Sequence, residues 1–359
     1  MRSNKNYFGL LKPQAEESFS GWLSRGVRSK NSEPFARVIS LLKESGVEDA
    51  DQKLTAPLLR KISGILGVTQ NHLDQAFFDY GSWLKSPPEL REYMCELCLL
   101  EDFSSHRRPT VRRVWAHWWF NVCPVHGSLV SATDSTVASV SLFNFLHNYM
   151  GPTPNPSPRS RQALFTVRQH KALGSKTYKK LRVMAYFFQQ WYIGSLSKKY
   201  VRIPGAESIV PLVDFELVMS DLLAIIGKKR SYPYHQESYI ARLLDINGEC
   251  SLSVRLSPSA GREACLCFDI SEHPPNVRMA MFALLGLFIG LPSCTRQWLR
   301  GEDYWIQDNN LERLWWGMHS ELGQNLGFLE WLQDRSRNWN VAIRNNLSHL
   351  LEDWWKKNH

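Results

Sequence analysis

Apolar residues recur at intervals of three and four along most of the chain, the spacing of a single buried stripe on a helix. Residues 18–83 break into several short helices of this kind. A further helix is predicted from about Lys176 to Ile193, and the pattern is helical again from Asn276 onward. The longest apolar run, Met279 to Leu291, has thirteen residues, too few to span a bilayer, and predicts a buried helix. Two stretches depart from the helical period. Residues 250–256 and 263–270 alternate polar and apolar positions around Ser257-Pro-Ser-Ala-Gly261, which predicts a β-hairpin. Gly151-Pro-Thr-Pro-Asn-Pro-Ser-Pro158 cannot be helical throughout, because each proline lacks the amide hydrogen a helix needs. Pro204 and Pro211 bracket another turn.

Within the first helices, residues 59–76 fit a helix-turn-helix. Ile62 and Leu66 would face the partner helix, Ser63 is small at the crossing, Gly67 makes the turn, and Leu73 and Ala76 lock the second helix. Thr69, Gln70, Asn71 and Gln75 would then project from the second helix, where a DNA reader places its base contacts. Asp74 on the same helix disfavours phosphate, and the same shape also packs against protein. A weaker candidate runs from Leu284 to Leu299, with Gly286 and Gly290 near its turn and Arg296 where an apolar lock is expected.

The segment 87–135 carries the clearest chemistry. Cys95-Glu-Leu-Cys98 is followed after 24 residues by Cys123-Pro-Val-His126. Two ligands separated by two residues can hold one ion from a tight turn, and two such pairs complete a tetrahedron. Three thiolates and one imidazole suit a closed, structural Zn²⁺ site with no position left for reactive water. His106 and His117 in the intervening loop are alternatives to His126, which alone has the matching spacing. The loop also carries Arg107, Arg108, Arg112 and Arg113 before Trp115, Trp118 and Trp119. Basic residues interleaved with aromatics can grip phosphates and stack on bases. The tryptophans also suit the packing of a small metal module. Cys250, Cys265, Cys267 and His273 could form a second site, although such cysteines are more often small core residues.

Charge adds a partner class. The net charge is +9, yet the residues from Ser135 to Ala206 contain no Asp or Glu and eleven basic residues. Arg159, Arg161, Lys176, Lys179, Lys180 and Arg182 lead that segment as candidates for a polyanion surface. Fourteen tryptophans, eight of them in the last 62 residues, read mostly as core anchors with a few available to partners. Residues 1–20 hold no apolar signal core. Seven cysteines, odd in number and unevenly spaced, do not form a secreted disulfide framework, so a cytoplasmic protein without membrane attachment is expected.

Enzymatic motifs are missing. A zinc deaminase needs an upstream His-x-Glu and a proline before its first cysteine, whereas Met94 precedes Cys95 and both His-x-Glu triplets, at His235 and His319, lie far downstream. No nucleophile elbow, His-Glu-x-x-His or dinucleotide fingerprint is present. The sequence therefore predicts a non-enzymatic, mainly α, multi-domain protein. It would contain helix-turn-helix elements, one small zinc-ribbon-like module and a short β-hairpin. The parts are residues 1–86, N-terminal helical; 87–135, zinc-binding; 136–230, basic and helical; and 231–359, Trp-rich and helical with the hairpin.

Three stretches resemble the TniQ/TnsD family of transposon targeting proteins. Glu17-Ser-Phe-Ser-Gly-Trp22-Leu-Ser-Arg25 is similar to the family's opening signature. Tyr93-Met-Cys95-Glu-Leu-Cys98 resembles its first zinc knuckle, and Trp115 and Trp118 ahead of Cys123-Pro-Val-His126-Gly127-Ser-Leu resemble the approach to its second. The resemblance covers about the first 130 residues. It implies a target-selection role in DNA transposition. TnsD-like members bind a fixed DNA site, whereas TniQ members of CRISPR-associated transposons dock on an RNA-guided Cascade complex. Both recruit the AAA+ regulator TnsC, and the Cascade-bound members are helical homodimers. The implied partners are thus Cascade proteins and guide RNA, TnsC, DNA near the target and a second copy of the chain. Some members carry more cysteines just after the first site; Val130-Ser-Ala-Thr-Asp-Ser135 has none, so one zinc per chain is expected.

Overall fold

The structure is a computed structural model that describes residues 7, 9–78, 81–91, 93–105, 109–132, 175–204, 208–227, 269–273, 275–300 and 326–347. Eleven α-helices and two two-stranded antiparallel sheets lie among these residues. The mainly helical expectation therefore holds. The expected hairpin at 250–270 lies outside the described residues apart from its last two positions, as do Cys250, Cys265 and Cys267. The chain divides into two compact units, Met1–Phe165 and Thr166–His359.

The first unit begins with four helices: α1 (Phe19–Gly26), α2 (Glu33–Glu44), α3 (Ala56–Leu66) and α4 (Gln70–Phe77). Each starts where the sequence supplies a reason. Ser18 caps α1 by accepting a hydrogen bond from the Gly21 amide at 3.0 Å. Pro34 and Pro57 fall in the first turns of α2 and α3, where a missing amide hydrogen costs nothing. Trp22, Phe35, Ile62, Leu73 and Phe77 fill one shared core. Trp22 stacks on Phe77 at 5.1 Å and meets Phe35 edge-on at the same separation.

The Glu17–Arg25 stretch folds into a buried device. Glu17 takes two hydrogen bonds from Arg25, at 2.6 and 2.8 Å, and one from the Gln14 amide at 2.8 Å. Ser20 donates its hydroxyl to Asp51 at 2.6 Å, and the Trp22 indole donates to the Leu11 carbonyl at 2.8 Å. The motif thus has a structural reading: it locks α1 against the loops on either side.

In the second unit, α6 (Ser175–Leu196) packs against α8 (Pro275–Phe288) and α9 (Pro292–Leu299). The strands β3 (Tyr200–Arg202) and β4 (Ile209–Pro211) pair antiparallel, where only a proline-bracketed turn was expected, and lead into α7 (Leu212–Gly227). Proline is tolerated there because both strands of a two-stranded sheet are edges. From Asn276 to Phe288 every residue of α8 is buried; the apolar run predicted this from Met279, and the helix also buries the polar Asn276 and Arg278 ahead of it. The helices α10 (Leu326–Arg337) and α11 (Val341–Asn346) are tied to α7 by polar contacts. Buried Asp221 accepts from Trp339 at 2.8 Å and Arg335 at 3.0 Å, and Asp214 accepts from Asn340 at 2.9 Å. Among the described residues no single helix is long and apolar enough to cross a membrane.

Candidate metal centre

The metal motif occupies the second half of the first unit. Strand β1 (Tyr93–Met94) pairs with β2 (Ser131–Ala132), so the segment leaves beside the point where it begins. Cys95 follows β1 and Cys98 lies on α5 (Glu96–Ser104). The second pair sits on a turn in which the Gly127 amide bonds the Cys123 carbonyl at 2.8 Å, with Gly127 at φ +60°. Trp115, Trp118 and Trp119 are buried, so they pack the module, the second of the two roles open to them. The module is joined to the helices by main-chain bonds, Ser18 to Val111, Arg113 to Glu16 and Trp118 to Leu84, each 2.8 Å. The expected parts 1–86 and 87–135 accordingly lie within one compact unit.

The Sγ atoms of Cys95, Cys98 and Cys123 and one ring nitrogen of His126 all lie within 4.8 Å of one another. His126 Nδ1 is 3.5 Å from Cys95 Sγ, 3.4 Å from Cys98 Sγ and 3.6 Å from Cys123 Sγ, and Cys98 and Cys123 are 3.5 Å apart. A tetrahedral ion with bonds of about 2.3 Å to sulfur and about 2.0 Å to nitrogen requires edges of roughly 3.5 to 3.8 Å. The four donors therefore fit a metal ion. The cysteines are buried and free of disulfides. Hydrogen bonds from Cys123 and Cys98 hold the Cys95 thiol far below its ordinary range, and Ser128 adds to the effect. Cys98 and Cys123 are pushed up, first by their own hydrogen bonds to cysteine partners in the cluster. A cation at the centre of the cluster favours all three thiolates together.

Two supporting residues escaped the sequence reading. Ser128 Oγ lies 3.4 Å from Cys95 Sγ, and the Glu101 carboxylate lies 3.4 Å from His126 Nε2, the ring nitrogen facing away from the cluster. A carboxylate behind a metal-bound imidazole orients the ring and raises its basicity. The place of Ser128, two residues after His126, was the available signal. His117 does not join the cluster. It is buried against Trp119, with centroids 5.0 Å apart, and burial pushes its pKa down to about 3. His106 lies outside the described residues.

The residues expected to meet nucleic acid or partners are dispersed. Arg112 makes two 2.7 Å bonds to Asp102, and Arg113 bonds the Ala76 carbonyl at 2.8 Å and the Glu16 carboxylate at 3.2 Å. Both therefore hold acceptors within the fold. Arg107, Arg108, Arg159 and Arg161 lie outside the described residues. On α6, Lys176 occupies the first turn, Lys179 is exposed and Arg182 is half-buried. Lys180 is the exception to the expected basic surface: it is buried and donates to the Trp298 carbonyl at 3.2 Å, because it falls on the apolar stripe of the helix.

The first helix-turn-helix forms as expected. Gly67 ends α3 in the left-handed region at φ +63°, and Ser63 bonds the Val68 carbonyl at 2.6 Å across the turn. Ile62, Leu66 and Leu73 are buried, with Phe77 rather than the half-buried Ala76 completing the lock. Thr69 caps α4, and Thr69, Asn71 and Gln75 are exposed with Gln70 half-buried.

Residues 10–130 match the TniQ family model. The match covers both the four-helix part and the metal module, and ends where β2 begins. No curated protein and no solved structure matches the chain.

Proposed function

With residues 10–130 a TniQ domain, we propose that the chain is a non-catalytic target-selection adaptor in DNA transposition. In this reading it links an RNA-guided Cascade complex to the AAA+ regulator TnsC and acts as a homodimer in the cytoplasm. The observation that carries the reading is the coincidence of the family match with a complete Cys95, Cys98, Cys123, His126 cluster. The ion is Zn²⁺, one per chain, and its role is structural, because three thiolates and an imidazole fill a tetrahedron and leave no place for substrate. The exposed Lys179 and half-buried Arg182 on α6, together with Arg159 and Arg161, are offered to RNA, DNA or a nucleoprotein surface.

The exposed first turn of α4 favours a second reading, in which the protein selects a DNA site itself through Thr69, Gln70 and Asn71. One experiment separates the two. The purified protein is tested for binding to random and genomic DNA at physiological salt, and for co-purification with its guide complex. Co-purification without site preference supports the adaptor; nanomolar preference for one site in the absence of the complex sinks it.

A further inference from the structure

The second unit contains its own helix-turn-helix, more complete than the sequence suggested. The helices α8 and α9 bend by 107° across a break of three residues, Ile289 to Leu291. Gly290 sits in the left-handed region at φ +71°, which a side chain would strain, and the Leu291 amide closes the turn on the Gly286 carbonyl at 2.9 Å. At Gly286 a Cβ would stand 2.7 Å from Cys294 Sγ, so the small residue permits the close crossing. The lock on the second helix is Cys294 and Trp298, both buried, rather than position 296. Helix α6 braces the pair from behind, and buried Lys180 bonds the carbonyl of Trp298 in the last turn of α9.

With Cys294 and Trp298 turned inward, Ser293, Arg296, Gln297 and Arg300 fall on the opposite side. They recur at three and four, and Ser293, Arg296 and Arg300 are exposed. That face carries two arginines, and no acidic residue occurs from Pro292 to Arg300. By contrast α4 has no lysine or arginine and carries Asp74. Arginine forms paired hydrogen bonds with guanine or phosphate, and glutamine does so with adenine. A helix of this shape, charge and exposure suits the major groove, which admits one helix.

We propose that α9 is the DNA-contacting helix of this protein and lays Ser293, Arg296 and Arg300 against duplex DNA. The inference rests on the targeting reading but concerns a surface outside the TniQ match, and its readout uses the full-length protein without other components. Binding to a labelled random-sequence duplex is followed across a salt series for the wild type, Arg296→Ala/Arg300→Ala, Ser293→Glu and Asn71→Ala/Gln75→Ala. The arginine variant is expected to lose at least about tenfold in affinity, with a salt slope shallower by about one to two units. Ser293→Glu, which adds a negative charge at an exposed position, is expected to fall in the same direction. The α4 variant is expected to bind as the wild type does. A wild type that binds no duplex, unchanged binding in both α9 variants, a loss confined to the α4 variant, or a preference for single-stranded RNA would each overturn the proposal. Failure here with retained capture by the guide complex sinks the α9 assignment alone; loss of that capture as well sinks the targeting reading.

Discussion

The second unit and the metal half of the first reach stability by different means. The second is organised around α8, buried along almost its whole length, with Phe282 against Phe188 at 5.6 Å. Its order comes from apolar surface removed from water. Among its described residues the metal half of the first unit has buried tryptophans but little regular structure: two two-residue strands, one α-helix and short turns. It is held instead by directional contacts, namely the Arg112–Asp102 pair and the arginine and lysine contacts around Asp49 and Asp51, beside the four-donor Cys/His cluster that fits a metal ion. A hydrophobic core tolerates replacement by similar volume, whereas a ligand set tolerates almost no replacement at all.

That contrast can be broken by experiment. Cys123→Ser, or removal of the ion by a chelator, is expected to withdraw on the order of 10 kcal/mol of binding free energy from the module. Hydrogen exchange should then rise across residues 93–132 while α6 to α9 stay protected; a variant that stays soluble, folded and metal-loaded would contradict the metal centre. Two substitutions form a matched pair. Phe282→Ala opens a cavity in the second unit and is expected to cost about 3 to 5 kcal/mol. Glu17→Ala leaves Arg25 without its buried partner and is expected to cost a similar amount, about 3 to 5 kcal/mol, in the first. Metal content should stay near one ion per chain for Phe282→Ala, and denaturant titration followed by exchange mass spectrometry should place each loss in its own unit. If both losses spread over both units, the division is not energetic.

The last effect concerns acid. His117 has a folded pKa of about 3, below its value in an unfolded chain, so the unfolded state binds more protons between those limits. Its contribution is fully present above the unfolded pKa of about 6.5 and declines as pH falls toward the folded value, by up to about 1.4 kcal/mol per pH unit. His117→Gln should flatten this part of the stability profile of the metal-loaded protein. Identical acid limbs in the two proteins would show that His117 does not set the slope.

How much of this was legible in the sequence depends on the range of the interaction. Most of the helices, the first helix-turn-helix and the four donors of the Cys/His cluster were readable, because each rests on spacing within a short stretch. The fate of the arginines was not. Nothing local to Arg112 and Arg113 announces that Asp102 and Glu16 will accept their hydrogen bonds, and Glu16 is almost a hundred residues away. The burial of Lys180 is hidden for a related reason: a basic run reads as one surface, whereas a helix turns one of its residues inward. The second helix-turn-helix was placed correctly but its lock was not. The template counted from the glycines, and α9 starts only at Pro292.

The pairing of Tyr93 with Ala132 carries a further consequence. Opposed residues in an antiparallel ladder stand about 5 Å apart, so the stretch between them is a closed loop on one clasp. Such a stretch can gain or lose residues at its far side without changing the separation of its ends. The interval between the two knuckles also carries Val111, Arg113 and Trp118, which bond Ser18, Glu16 and Leu84, so a change of length there leaves the clasp and the rest of the unit in register only where it spares those bonds.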